Sequence, residues 1–227
     1  AAMAVFLIRQ PVTIAIKAYS GRRSRRDLPA ARFWILIYAG AALLAVTGLA
    51  ALGFAAILIL ALPGTPVYIW HLYLVSRRAE RRQIGIELVG SGVLALAAPA
   101  AYWVGIGRPD AVGWWLFALT WFQSAASIVY AYLRLEQREL KQAPELSQKI
   151  RMARRALLYT GFNLLASLGF SQAGLLPGWI FLPFALQFAE TVWGTLNPAV
   201  GAKPTAIGFR QLAVSILFTI IFILTWL

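Results

Sequence analysis

The chain of 227 residues contains no cysteine. That excludes disulfides, thiolate chemistry and cysteine-held zinc or iron–sulfur centres. A single histidine excludes a histidine-rich metal site, but not a haem or chlorophyll held by one axial ligand. Acidic residues are scarce, with 8 Asp and Glu against 21 Lys and Arg. Charge as a whole is scarce too: charged residues make up 13% of the chain, where a soluble globular protein carries about 25%. What fills the gap is apolar. Hydrophobic residues reach 60% and mean hydropathy is +0.71. Such a chain has too little polar surface to cover itself in water, so lipid is its expected solvent.

A net charge of +13 raises the question of nucleic acid. The cations are confined to short loops, where attraction to anionic headgroups explains them. No motif that reads RNA or DNA is present, so no nucleic-acid partner is expected.

Those loops alternate. Residues 17–32, 77–82, 134–155 and 203–210 hold 6, 4, 7 and 2 Lys or Arg, together 19 of the 21. The loops between them hold only Arg108, and Arg9 lies within the first apolar stretch. By the positive-inside rule a multi-pass membrane protein is expected, with its basic loops in the cytoplasm.

The expected fold class is all-α, a transmembrane helical bundle forming one domain over residues 1–227. Seven full spans are expected, at about residues 33–49, 54–75, 84–104, 112–133, 156–170, 179–194 and 209–226, given the ~20 apolar residues a span needs. The second carries Pro63, Gly64 and Pro66 and should break there. Residues 1–16 are interrupted by Arg9, Gln10 and Pro11 and are read as the second half of a further span. A missing N-terminal piece would then bring the total to about nine. Crossings counted from either end place all four basic loops on one side and the C-terminus on the outer side. Tryptophans agree: Trp103, Trp114, Trp115, Trp179 and Trp226 fall near the outer interface, and Trp34, Trp70 and Trp193 near the inner one. In the 134–155 loop, helix should continue past residue 134, stop at Pro144 and resume as a basic amphipathic segment. The ordinary explanation is helix ends resting on headgroups; the alternative is a docking surface or a cap over a cavity.

Ionisable and strongly polar groups inside spans are costly, so they mark candidate sites. His71 lies six residues before Arg77, about 9 Å deep at the helical rise of about 1.5 Å per residue. Glu87, Asn163, Gln187 and Glu190 also fall in the cytoplasmic half, with Gln187 one turn from Glu190 on the same face. Each has a plain explanation. Glu87 suits a helix N-terminus. Glu190 can bridge to an arginine, His71 beside Trp70 can be interfacial, and Asn163 can join helices. Together they suggest a polar cavity open to the cytoplasm. The turn-rich connector 197–210 adds Lys203 and Arg210 as candidates for holding an anionic headgroup or phosphate, or else serves only as an ordered link. No catalytic residue and no metal ligand is assigned. Small-residue faces at Gly40, Ala41, Ala45 and Gly48, and at Gly85, Gly90 and Gly92, suit close helix contact.

The tail Lys203-Pro204-x-x-Ile207-Gly208-x-Arg210 resembles the C-terminal region of the YwiC-like family of bacterial integral membrane proteins. The run Phe6-Leu7-x-Arg9-Gln10-Pro11 and the basic segment after it are also similar to that family. The resemblance implies a place in the bacterial inner membrane, an additional N-terminal span and little about activity. A more distant comparison is the UbiA prenyltransferase superfamily, with nine spans and a cytoplasm-facing cavity. Its chemistry uses Asp-rich motifs that hold magnesium on a diphosphate. In the corresponding regions this chain has only Asp27, and then Glu136 and Glu139, amid basic residues.

The leading expectation is a non-catalytic subunit or assembly factor that packs against other membrane proteins or binds a lipid, quinone or pigment. The alternative is an enzyme acting on an isoprenoid or other lipid. A transporter ranks third: the Pro63 break suits a discontinuous helix, but no matching second half is found.

Overall fold

The structure is a computed structural model that describes residues 1–77 and 84–227. Most of the second basic loop, read from residues 77–82, therefore lies outside the described residues. All regular structure among the described residues is helical. The helices are α1 (Ala2–Tyr19), α2 (Leu28–Ala51), α3 (Gly64–Ser76), α4 (Ile84–Ala95), α5 (Ala97–Ile106), α6 (Ala111–Arg138), α7 (Leu146–Gln172), α8 (Phe181–Leu196) and α9 (Pro204–Leu224). They form two compact units, Ala1–Ala118 and Leu119–Leu227, with α6 contributing to both.

In the first unit α1 packs against α2 and α3, and α3 against α4. Helix α1 runs through Pro11 without a break, so the expected half-span is 18 continuous helical residues. Pro11 removes one amide donor, but the residue is buried and the helix continues through it. The break expected in the third apolar stretch is present. Ala55–Ala61 winds as a tighter 3-10 segment, and α3 restarts after Pro63. Pro66 then lies in the first turn of α3, where no amide partner is needed. At Gly64 a side chain would press on Val93 of α4 at 3.2 Å, which explains glycine at this crossing. A second break separates α4 from α5 at Leu96, three residues before Pro99, whose missing N–H cannot cap Ala95.

Helix α6 opens on Asp110, whose Oδ1 accepts from the amides of Val112 at 2.6 Å and Gly113 at 3.3 Å. The Trp103 indole donates to the Asp110 carbonyl at 3.1 Å and lies directly over Gly113, where a Cβ would collide with it. Trp103, expected in an interfacial belt, is thus a buried wedge that fixes the turn between α5 and α6.

In the second unit α7 packs on α8, and α8 on α9. The buried face of α7 is Ala153, Ala156, Thr160, Asn163 and Ser167, spaced alternately three and four apart. Phe184, Gln187, Thr191 and Gly194 repeat that spacing on α8. Small and hydroxyl-bearing residues at a 3.5-residue period let helix backbones approach closely in an apolar solvent. The expected interruption near Pro144 is also present: α6 reaches Arg138 and α7 starts after Glu145.

Six helical stretches among the described residues are long and apolar enough to span a membrane. They are Ala2–Tyr19, Arg25–Ala51, Ala55–Val75, Ile84–Ile106, Ala111–Arg138 and Pro204–Leu224. The chain is a multi-pass membrane protein. The expected count of seven full spans differs because α7 devotes its first turns to Lys149, Arg151, Arg154 and Arg155, and α8 is only 16 residues long.

Candidate functional site

A polar stripe runs along α6: Gln123, Ser127, Tyr130, Arg134 and Gln137 are spaced alternately four and three apart, so they share one face. Helices α8 and α9 turn their own polar residues to this stripe. Tyr130 donates its hydroxyl to Glu190 Oε1 at 2.8 Å. The same carboxylate is held in a two-pronged grip by Arg210, with Nε to Oε1 at 2.6 Å and Nη2 to Oε2 at 2.7 Å. The fork of a guanidinium matches a carboxylate in this way, and a lysine could not. Glu190 is 10% exposed and Arg210 43%, so the pair has one buried end and one wet end.

Next to it, Arg134 caps the end of α8. Its Nη1 lies 2.8 Å from the carbonyls of both Gly194 and Asn197 and 2.9 Å from Gln137 Oε1. Gln137 adds a bond to the Gly194 carbonyl at 3.1 Å, and Lys149 Nζ reaches the Leu196 carbonyl at 2.9 Å. The last carbonyls of a helix have no partner within it, and its C-terminus carries partial negative charge, so cations placed there satisfy both demands. The Trp193 ring lies against both arginines, with the guanidinium carbon of Arg210 3.5 Å and that of Arg134 5.5 Å from its centroid.

Two cavities adjoin this network. The larger, about 310 Å³, is walled by Tyr130, Arg134, Glu190, Ala206, Arg210 and Gln211. The smaller, about 130 Å³, shares Tyr130, Glu190 and Gln211 with it and is lined also by Gln123, Ser127, Gln187, Leu212 and Phe218. Gln187 donates to the Gln123 carbonyl at 3.0 Å and to the Ser127 hydroxyl at 2.9 Å, and Gln211 donates to the Ser127 carbonyl at 3.3 Å.

The candidates picked from the sequence divide accordingly. Gln187, Glu190 and Arg210 meet at these cavities, and the Glu190 bridge to an arginine is present. Asn163 is buried and donates to the Phe122 carbonyl at 2.8 Å, which joins α7 to α6. Lys203 precedes the first residue of α9 and is exposed, outside the cavity wall. His71 on α3 and Glu87 in the first turn of α4 belong to the first unit. Sequence reasoning missed Tyr130, Arg134, Gln137 and Gln211. The charge pattern puts Arg134 at the start of a cytoplasmic loop; it is 6% exposed inside α6 because the carbonyls of α8 claim it. Among the described residues, no three His, Asp or Glu side chains gather as a metal centre would require.

The bridge yields a directional prediction. Arg210→Gln takes both charge-assisted bonds from a buried carboxylate and leaves it the Tyr130 hydroxyl, whereas Glu190→Gln releases an arginine that already reaches water. Arg210→Gln should therefore cost about 2 kcal/mol of stability and Glu190→Gln less than about 1. Thermal unfolding of both variants in one detergent checks this order.

No curated protein and no solved structure matches the chain. A family model does, and it spans residues 1–102, taking in the Phe6-Leu7-Ile8-Arg9-Gln10-Pro11 run and the basic segment after it but not the 203–210 tail. The N-terminal part of this multi-pass membrane protein is therefore YwiC-like.

Proposed function

We propose that this YwiC-like protein is a non-catalytic membrane subunit or assembly factor whose second unit binds a polar-headed lipid. The observation that carries this reading is the larger cavity. It is about 310 Å³, and it sits where α8 ends and α9 begins, with two guanidinium groups and one carboxylate in its wall. That leaves one net positive charge facing the space, suited to an anionic or zwitterionic headgroup. The basic loops around it favour an opening on the cytoplasmic side.

A catalytic role has less support. Glu190, the carboxylate of the cavity, has both oxygens engaged by Arg210 and Tyr130, so it is poorly placed as a general base. Association with other membrane proteins belongs to the same proposal. In α2 only Ala31 is buried, and among the described residues nothing lies over Gly40 or Gly48, on a face that also carries Ala41 and Ala45.

Gentle purification from the native membrane tests this reading. A stoichiometric membrane partner and a retained lipid are expected. A lone chain that turns over an added prenyl diphosphate would sink it in favour of an enzyme.

A further inference from the structure

Helix α7 carries a second stripe, on the side turned away from its packed face. The packed face runs through Ala153, Ala156, Thr160, Asn163 and Ser167. Arg151, Arg155, Leu158, Phe162 and Leu165 are also spaced alternately four and three apart, and they lie about 150° round the helix at roughly 100° per residue. All five are exposed, and Leu158, Phe162 and Leu165 are more than half exposed. Arg154 is exposed too, one turn from Arg151.

The three arginines are unneutralised. Among the described residues, none of their guanidinium groups has a hydrogen-bond, ion-pair or ring partner. Arg134, Lys149 and Arg210 differ in this, since each is engaged by α8. Like charges three and four apart weaken a helix, and α7 contains no Asp or Glu to offset them. An anion from outside the chain would relieve that repulsion.

The apolar part of the stripe fixes the kind of anion. Leu165 lies ten positions beyond Arg155, about 15 Å at the helical rise of about 1.5 Å. That is half of the ~30 Å hydrocarbon core, the depth of one leaflet. The guanidinium groups therefore stand at headgroup level when the stripe lies along acyl chains. A soluble anion would leave the apolar part unused. Planar guanidinium forks match phosphate oxygens, and three positive charges are balanced better by two phosphates than by one.

We infer that this face of α7 binds an anionic phospholipid with a two-phosphate head, its phosphates on Arg151, Arg154 and Arg155 and its acyl chains along Leu158, Phe162 and Leu165. Phe162 meets Phe122 of α6 edge-on at 5.6 Å, which braces the middle of the stripe. The site shares no residue with either cavity and stands independently of the lipid proposed there.

The test titrates the full chain, delipidated in detergent, with diphosphatidylglycerol, phosphatidylglycerol and phosphatidylcholine, and counts bound lipid by native mass spectrometry. The parent and Ala206→Trp, which crowds the larger cavity, are compared. In both, the first diphosphatidylglycerol should bind at least about tenfold more tightly than phosphatidylglycerol, the order of one further charge-assisted contact. Arg151→Gln, Arg154→Gln and Arg155→Gln together should remove that preference while thermal unfolding stays at the parent's, because these side chains have no contacts to lose. Arg23→Gln, Arg25→Gln and Arg26→Gln together, the same charge taken from the first basic loop, should keep it. Equal affinity for the two anionic lipids, or equal loss in both triple variants, overturns the inference. Loss of the preference in Ala206→Trp also overturns it and assigns the lipid to the cavity. A membrane protein released by the α7 triple variant, with no lipid preference in the parent, overturns it in favour of a protein partner.

Discussion

Arg134→Met is expected to lower the stability of the second unit by about 3 kcal/mol, since it removes charge-assisted bonds to buried carbonyls. Methionine keeps much of the stem and apolar volume, so the loss isolates the guanidinium. Gly194 retains Gln137, but the Asn197 carbonyl loses the Arg134 bond, and Trp193 loses one of its two cations. Arg134→Lys should recover only part of the loss, because the shorter side chain carries its ammonium short of the Nη1 position where the three acceptors converge, and gives up the planar face against Trp193. Thermal unfolding in detergent, followed by helical circular dichroism, reads both variants. An Arg134→Met protein that melts like the parent would show that α8 does not depend on this cap.

Gly194→Ala should be nearly as damaging, and for a steric reason. A Cβ at this position falls on the hydroxyl and ring of Tyr130, with the ring carbon that bears the hydroxyl 2.8 Å away. Overpacking a tight contact costs about 1–3 kcal/mol. Here it also pushes the tyrosine hydroxyl off Glu190, so retention of lipid should fall along with stability. The pair Gly194→Ala and Tyr130→Leu should regain packing but not lipid retention, because the hydroxyl stays absent. If Gly194→Ala alone is silent in both measurements, Tyr130 has more room than the structure gives it.

Helices and their breaks were largely legible from residues. Pro63 and Pro144 are local instructions that no tertiary contact reverses. Gln187 and Glu190 could be placed on one face because helical spacing is fixed. Arg9, Gln10 and Pro11 interrupt the apolar run of α1 without ending the helix, because packing against α2 and α3 carries it through. Arg134 was hidden for a different reason. A count of charges by loop treats every arginine as solvated, and its acceptors are backbone carbonyls 60 and 63 residues away, which no sequence pattern displays. A signal did exist: the 123, 127, 130, 134, 137 spacing continues a polar face beyond the apolar span, and such a face needs partners. The pairing of Glu190 with Arg210 depends on the fold of the 197–203 turn, where Gly201 takes a left-handed conformation at φ 65°.

The central claim, that the second unit holds a polar-headed lipid in the cavity at the end of α8, is tested most directly by native mass spectrometry of the full chain released from its own membrane. The parent protein should keep one lipid at activation energies that strip the rest. Ala206→Trp, which fills the larger cavity at a residue that makes none of the Glu190–Arg210 hydrogen bonds, should lose that lipid while remaining folded. Identical lipid retention by the parent and by a folded Ala206→Trp protein would contradict it.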